Sequence, residues 1–127
     1  YVDSCMHLID VVKQSRIPVY TYGMGSIASC GVMLMMAGVK GHRYLTQNTA
    51  VMSHEFSGAT RGQYHDMLDA QPHMEWTNKK LLEHYMKCTG KKENYVRKHM
   101  LAPKTDHWLT PEEAIKHGIA DKLVETY

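Results

Sequence analysis

The sequence lacks several features that would point to whole classes of protein. It has no apolar run near the roughly 20 residues that a membrane-spanning helix requires, so no transmembrane helix is predicted. It has no excess of one charge, since 15 basic and 13 acidic residues give a net charge of +2. Such scattered charges do not indicate nucleic acid or an anionic membrane as a partner. Repeats and low-complexity linkers are absent too, so the 127 residues predict one domain.

Cysteine is scarce, and its placement does not suggest disulfides or a metal. The three cysteines, Cys5, Cys30 and Cys88, cannot all pair and form no CxxC motif. This usage is typical of a reducing compartment, so we expect a cytoplasmic protein. Nine histidines raise the question of zinc, but zinc sites need three or four convergent ligands, and an HExxH motif is absent. His84 and Cys88 share one face of a predicted helix without a clear third ligand. We therefore expect no metal and no other cofactor.

The most informative segment that is present is Gly25-Ser-Ile-Ala-Ser29-Cys-Gly31, in which two glycines bracket a serine. It stands between a β-like run at 17–22 and an apolar, helix-like run at 32–37. A sharp strand-to-helix turn exposes a serine hydroxyl, and N–H groups at the start of the helix face the charge that develops during acyl transfer. Ser29 is therefore a candidate nucleophile. The same glycines are also compatible with a tight turn that is purely structural.

A serine nucleophile needs a base and an orienting acid, and both residue types follow at suitable places. His54 closes the β-like run at 49–54, just before a Ser-Gly turn. Asp106 lies in a predicted loop at 102–108, ahead of a well-signalled helix. Strand ends and loops are where active sites are usually built, so His54 and Asp106 are the candidate base and acid.

The order of helix and strand signals indicates an α/β fold. A helical stripe runs from 63 to 88 through Pro72, where the missing hydrogen bond predicts two helices or one kinked helix. The cap-plus-proline sequence at 110–113 predicts the start of another helix. The remaining expected elements are a helix at 2–15, a strand at 17–22, a buried helix at 32–38, and strands at 42–46, 49–54 and 119–124.

Taken together, these residues resemble the proteolytic subunit of the Clp protease (ClpP). The likeness is colinear from about Tyr1 to Glu125, and the step of 25 residues from Ser29 to His54 matches the family's spacing. The order Ser, His, Asp differs from that of α/β-hydrolases, chymotrypsin and subtilisin. The matching stretches are Gly25-Ser-Ile-Ala-Ser29-Cys-Gly31, Ala37-Gly-Val-Lys-Gly-His-Arg43, Met52-Ser-His54, Asp106-His-Trp-Leu-Thr-Pro-Glu-Glu-Ala114 and Gly118-Ile-Ala-Asp121.

The resemblance implies an α/β fold of the ClpP/crotonase type, a spiral of repeated β-β-α units with a long handle helix, as a single domain over 1–127. It implies a subunit of an ATP-dependent type of protease, a serine endopeptidase that cuts unfolded proteins through an acyl-enzyme. The implied catalytic residues are Ser29, His54 and Asp106, with the backbone N–H of Cys30 as an oxyanion donor. The implied partners are an AAA+ unfoldase and further copies of the chain, in a heptameric ring or a double heptamer.

A glycine-rich segment follows the histidine directly, and in the family the corresponding strand pairs with the substrate backbone. An unpaired strand edge can hold an extended peptide by main-chain hydrogen bonds with little demand on its sequence. The alternative interpretation is a flexible hairpin. The residues implied in substrate binding are Ser57, Gly58, Ala59 and Thr60.

The chain departs from the family pattern near each candidate residue. Cys30 stands where methionine is usual, and Glu55-Phe56 stands where Gln-Pro is usual. Neither change removes a reacting group. Pro72 falls within the handle, through which two rings meet in the family, and therefore bears on ring-on-ring assembly.

The acid is the member of the triad with competitors. The interval from His54 to Asp106 is a few residues longer than is usual in the family. Asp66 and Asp69 are the alternatives, although both fall within the predicted handle helix.

The front of the chain also differs from the family. There, a strand and a Pro-Gly-Gly turn precede the helix that residues 1–14 resemble, and one of those glycines donates an N–H to the oxyanion. We therefore expect an N-terminally incomplete domain, without that glycine and without the segment that contacts the unfoldase. A truncated chain of this kind is expected to be impaired as an enzyme, since losing one oxyanion donor costs on the order of a hundredfold to a thousandfold in rate.

Three other functions are compatible with the fold. A phage or mobile-element protease of the ClpP type would act on capsid or scaffold proteins. A non-catalytic ring subunit would assemble with active partners, but the intact Ser29, His54 and Asp106 argue against it. A crotonase-type hydratase or isomerase would need an acidic base near the acyl carbon, which the pattern of nucleophile and histidine does not supply.

Overall fold

Helices and strands alternate along the chain, as the sequence predicts for an α/β fold. The structure is a computed structural model that describes residues 2–58 and 60–125. Its helices are α1 (Val2–Gln14), α2 (Cys30–Met36), α3 (Tyr64–Thr89), α4 (Glu93–His99) and α5 (Pro111–Lys116). Its strands are β1 (Thr21–Gly23), β2 (Ser26–Ala28), β3 (Arg43–Thr46), β4 (Ala50–His54), β5 (Asp106–Leu109) and β6 (Lys122–Val124).

Two three-stranded sheets arise from successive β-β-α units. In the units β1-β2-α2 and β3-β4-α3, the first strand joins one sheet and the second strand joins the other. The first sheet has the order β1-β3-β6 with parallel pairing throughout. The second has the order β2-β4-β5, in which β2 and β4 are parallel and β5 is antiparallel to β4. The expected α/β spiral of β-β-α units with a long handle helix is thereby confirmed.

The core lies around α2, which is the most deeply buried helix. Four of its seven residues are buried, among them Met33, Met35 and Met36. Methionine fills irregular gaps well because its side chain is unbranched and flexible. Helix α1 covers one side of α2 through the buried residues Cys5 and Ile9. The buried core therefore reaches the turn from β2 into α2.

Helix α3 is one continuous helix of 26 residues that contains Pro72. Its buried residues begin at Thr77 and recur at helical spacing to Thr89, whereas most of 64–76 is exposed. Proline cannot donate to the carbonyl four residues earlier, but that carbonyl belongs to the exposed residue Leu68, where water can serve it. The first half of α3 therefore extends beyond the core. Although α3 is long, no helix in 2–58 or 60–125 is apolar enough to cross a membrane.

Several element boundaries differ from the sequence-based expectations. The strand expected at 17–22 is confined to Thr21–Gly23, because Pro18 has no N–H to donate to a ladder. The sequence patterns missed β2 and α4, which are short. The expected loop at 102–108 overlaps β5, whose strand character depends on its pairing with β4. The predicted helix start at 110–113 is confirmed, since Thr110 and Glu113 form a reciprocal capping box.

A buried ion pair ties β3 to the residue that precedes β6. The guanidinium of Arg43 donates from Nε to Asp121 Oδ2 at 2.8 Å and from Nη2 to Oδ1 at 2.7 Å. Its Nη1 donates to the carbonyl of Cys88 at 2.9 Å, at the end of α3. The Arg43 side chain is only 2% exposed. This contact joins three parts of the fold that are far apart in the chain.

Gly118 is required where the end of α5 meets the end of α3. Its φ is +84°, and a Cβ there would lie 2.7 Å from the carbonyl oxygen of Thr89. We expect Gly118→Ala to lower the free energy of unfolding by roughly 2–4 kcal/mol, from left-handed backbone strain and overpacking together. Gly41→Ala is the matched control because Gly41 has φ +91° but open space around it. Gly41→Ala should lower the free energy of unfolding by only about 1–2 kcal/mol. A urea titration of both variants measures the two losses. If the losses were equal, the contact with Thr89 would not explain the requirement for glycine at position 118.

Candidate active site

Ser29 occupies the sharp turn between β2 and α2. Its φ of 53° and ψ of −115° are unusual for a residue with a side chain, and backbone strain of this kind costs on the order of 1–3 kcal/mol. Its N–H donates to the carbonyl of Met52 in β4 at 3.0 Å, and its carbonyl accepts the N–H of Val32 at 3.0 Å. The hydroxyl does not cap the helix that follows. The backbone is thus held firmly while the side chain keeps its hydrogen-bonding capacity.

Cys30 is the first residue of α2, and its position is supported by α1. The first N–H groups of a helix have no partner within the helix, so the N–H of Cys30 can donate to a bound group. The thiol of Cys5 donates to the carbonyl of Cys30 at 3.5 Å. Burial raises the pKa of the Cys5 thiol to about 12, so it stays a protonated donor at neutral pH. Helix α1 thereby helps to fix the peptide next to the candidate nucleophile.

His54 and Asp106 are directly opposite each other in the sheet. His54 is the last residue of β4 and Asp106 the first of β5, and the antiparallel register pairs the two. Opposed residues of this kind have Cβ atoms about 4.5–5.5 Å apart and point to the same face. No side-chain hydrogen bond joins Ser29, His54 and Asp106 within the described ranges, but catalytic hydrogen bonds are often long until substrate is bound.

Ser29 and His54 line one small pocket of about 50 Å³. The strand register accounts for this, because Ala28 pairs with Met52 and each strand carries its candidate residue just beyond that pair. The pocket opens between the end of β4, the start of α2 and the middle of α3. Its other lining residues are Val2, Cys30, Met33, Glu55, Phe56, Ser57, Leu81 and Tyr85.

A buried polar chain behind the pocket holds β4 in place. The hydroxyl of Ser53 lies 2.8 Å from that of Tyr85 in α3 and donates to the carbonyl of Met100 at 2.7 Å. Burial raises the pKa of Tyr85 to about 12, so its phenol stays protonated. Ser53 precedes His54, so these hydrogen bonds anchor the end of β4 to α3 and to the end of α4. Sequence reasoning missed this role, since the two hydroxyls are 32 residues apart.

The described residues of the segment expected to pair with substrate are not in a strand. Ser57, Gly58 and Thr60 are exposed and have no regular secondary structure. Ser57 lines the pocket, and a Cβ on Gly58 would lie 3.0 Å from the ring of Phe56. Ala59 lies outside the described residues. The segment nevertheless begins at the pocket, three residues after His54, which ends β4.

The two competing acids, Asp66 and Asp69, lie on α3 and do not line the pocket of His54. Asp66 Oδ2 accepts the N–H of Gln63 at 3.1 Å and forms the capping box that starts α3. Asp69 is exposed one turn later on the same helix. Neither lines the pocket, whereas Asp106 faces His54 across the sheet.

The histidine and cysteine on α3 are engaged in packing. Nε2 of His84 donates to the carbonyl of Met33 at 2.9 Å. Burial lowers the pKa of His84 and raises that of Cys88, so imidazole and thiol are both neutral at pH 7. Within the part of the chain that the structure describes, no group of three His, Cys, Asp or Glu residues is arranged to hold a metal.

Ser29 lies on a strained turn, the imidazole of His54 lines the same pocket, and Asp106 is paired opposite His54 in the sheet. Acyl transfer through a serine uses a hydroxyl, an imidazole and a carboxylate. In a comparison with families of known proteins, a sequence model described as Clp protease matches residues 1–127. The chain therefore belongs to the Clp protease family.

Proposed function

We propose that this chain is a serine endopeptidase subunit that hydrolyses peptide bonds through Ser29, His54 and Asp106. The observation that carries the proposal is the register of the second sheet. It sets Asp106 opposite His54, while the pairing of β2 with β4 brings Ser29 into the same pocket. The family match supports a ClpP-like serine peptidase.

The proposed reaction follows from these positions. His54 removes the proton from Ser29 Oγ as the oxygen attacks the peptide carbonyl, and it later gives that proton to the leaving amine. Asp106 holds the imidazole in one tautomer and stabilises its positive charge. The N–H of Cys30 donates to the carbonyl oxygen as it becomes negative. Water then attacks the acyl-enzyme, and His54 again transfers the proton.

We further propose that the substrate is an extended, unfolded polypeptide. The segment of Ser57, Gly58, Ala59 and Thr60 begins three residues after His54, and Ser57, Gly58 and Thr60 are exposed. Exposed backbone with small side chains can pair with a peptide whatever its sequence. The family suggests an AAA+ unfoldase as the partner that supplies such chains.

Assembly into a homo-oligomeric ring, as a heptamer or double heptamer, is also proposed. Its support is the extended first half of α3, where apolar side chains are exposed. Tyr64 is 78% exposed and Trp76 is 53% exposed, with Met67 and Leu68 between them. Since α3 continues through Pro72, the proline does not interrupt this face. A cytoplasmic location rests on the cysteines, none of which is in a disulfide.

Labelling with a fluorophosphonate probe tests the proposed nucleophile. The probe phosphonylates activated serines, so mass spectrometry should locate the adduct on Ser29. Ser29→Ala should abolish labelling and His54→Ala should slow it strongly. Ser26→Ala is the matched control, because Ser26 is an exposed serine of the same segment, and it should label normally. A folded protein with no adduct would favour a non-catalytic ring subunit, and an adduct on another serine would refute the assignment.

A further inference from the structure

Glu55 connects the strand of His54 to the turn that leads into Asp106. Its carboxylate oxygen Oε1 accepts the backbone N–H of Lys104 at 2.8 Å. The two residues are 49 positions apart in the chain. Glu55 directly follows His54, and Lys104 precedes Asp106 by two residues. The contact therefore lies just beyond the pair of residues that ends the β4–β5 ladder.

The Lys104 turn needs an external support to keep its shape. Lys104 has φ 55°, which is uncommon for a residue with a side chain and persists only where its surroundings hold it. Within the turn, Thr105 N–H donates to the carbonyl of Ala102 at 3.3 Å, and Ala102 N–H donates to Nε2 of His107 at 3.1 Å. These bonds shape the turn but do not tie it to β4. The bond from the Lys104 N–H to the carboxylate of Glu55 ties the turn to the residue that follows β4.

The end of a ladder is its weakest part, because the last pair has neighbours on one side only. Asp106 is in this terminal pair, and it is itself exposed. Without a support beyond the ladder, the start of β5 would separate from β4 and carry the carboxylate away from His54. A shift of about 1 Å at such a group can lower a rate about a hundredfold.

We propose that Glu55 is a positioning residue that keeps Asp106 opposite His54 by anchoring the Lys104 turn. This inference rests on the proposed function. It also accounts for two features together: the acidic residue directly after His54, and the lengthened connection that must still return Asp106 to the end of β4. Glutamine at this position would keep an oxygen that accepts the same N–H.

Rescue by glutamine distinguishes positioning from an effect of the Glu55 charge. Glutamate and glutamine both offer an oxygen to the Lys104 N–H, whereas alanine offers none. Comparing Glu55→Gln with Glu55→Ala therefore separates the lost charge from the lost anchor.

The experiment measures kcat/KM for a short fluorogenic peptide at pH 8, with melting temperature as the test of folding. We expect Glu55→Ala to lower kcat/KM about 10–100-fold. Glu55→Gln should restore at least half of the logarithmic loss. Glu112→Ala is the control, because Glu112 is an exposed glutamate on α5, and it should change neither quantity. A Glu55→Ala protein that folds and keeps the wild-type kcat/KM would overturn the proposal.

A second measurement separates this inference from the proposed triad. In a background of Asp106→Asn, the further change Glu55→Ala should alter kcat/KM less than about twofold, since the group that it positions is already gone. A full additional loss in that background would mean that Glu55 acts directly, and would refute positioning. If Asp106→Asn alone were fully active, the proposed triad would fail. If Asp106→Asn were inactive but Glu55→Ala were normal, only the role of Glu55 would fail.

Discussion

Replacing Asp106 with asparagine is expected to lower kcat about 10⁴-fold while leaving the protein folded. An asparagine amide can hold the imidazole of His54 in the wrong tautomer and cannot stabilise its positive charge. Because Asp106 is exposed at the start of β5, the change from carboxylate to amide should hardly affect the free energy of unfolding. Steady-state hydrolysis of a fluorogenic peptide at pH 8 measures the loss.

Two other aspartates serve as matched controls for this substitution. Asp66→Asn removes a carboxylate that caps α3, where an asparagine oxygen can still accept the N–H of Gln63. Asp69→Asn changes an exposed residue on the same helix. Both variants should keep kcat within about twofold, since neither carboxylate lines the pocket. The assignment of the acid would be wrong if Asp66→Asn abolished turnover and Asp106→Asn did not.

Replacing Asp121 with alanine is expected to lower the free energy of unfolding by about 3–5 kcal/mol. The substitution would leave the guanidinium of Arg43, at 2% exposure, without its carboxylate partner. It would also remove the acceptor of the Gly41 N–H, which donates to Asp121 Oδ2 at 2.7 Å. A urea titration followed by circular dichroism measures the change.

The exposed pair of Glu93 and Arg97 gives the comparison. Their side chains are about half exposed at 52% and 51%, so Glu93→Ala should cost only about 0.5 kcal/mol. A double variant with Arg43→Met and Asp121→Leu should be less destabilised than Asp121→Ala, because no buried charge is left unpaired. If Asp121→Ala cost no more than Glu93→Ala, the buried pair would not hold the fold together.

The same pair makes stability depend on acid. Burial acts to raise the pKa of Asp121, but hydrogen bonds and charge from Arg43, with the N–H of Gly41, outweigh it and hold the pKa below its usual range. A carboxyl whose pKa is lower in the folded state contributes fully above the unfolded pKa of about 3.9, and that contribution is lost as the pH falls through the folded pKa. Between about pH 5 and pH 3, wild type should therefore lose more stability than Asp121→Asn.

Local signals in the sequence were sufficient for the features that depend on neighbouring residues. The bracketed turn at Ser29 is a strand-to-helix turn because glycines and small residues permit its backbone. The capping box at Thr110 and Glu113 starts α5 as expected, since both partners lie within one helical turn. The 3.6-residue stripe predicted α3, but sequence alone left two helices or a kinked one as alternatives at Pro72.

Short strands were harder to predict because their stability comes from their neighbours. Strand β2 has only three residues, and within 2–58 and 60–125 it pairs with β4 alone. Strand β5 carries polar residues in an expected loop, and its first residue, Asp106, pairs with His54, which is 52 positions earlier in the chain. The spacing of hydrophobic residues carries little information over strands of three or four residues.

By itself, the sequence determined the fold class, the family and the candidate residues Ser29, His54 and Asp106, because those depend on residue type and order along the chain. The tertiary structure alone decided which groups lie together. The register of β4 and β5 sets Asp106 opposite His54, and the contact between Glu55 and Lys104 lies just beyond that pair. Register is decided by the packing of whole strands on the core, so no local pattern around either residue could have shown these contacts.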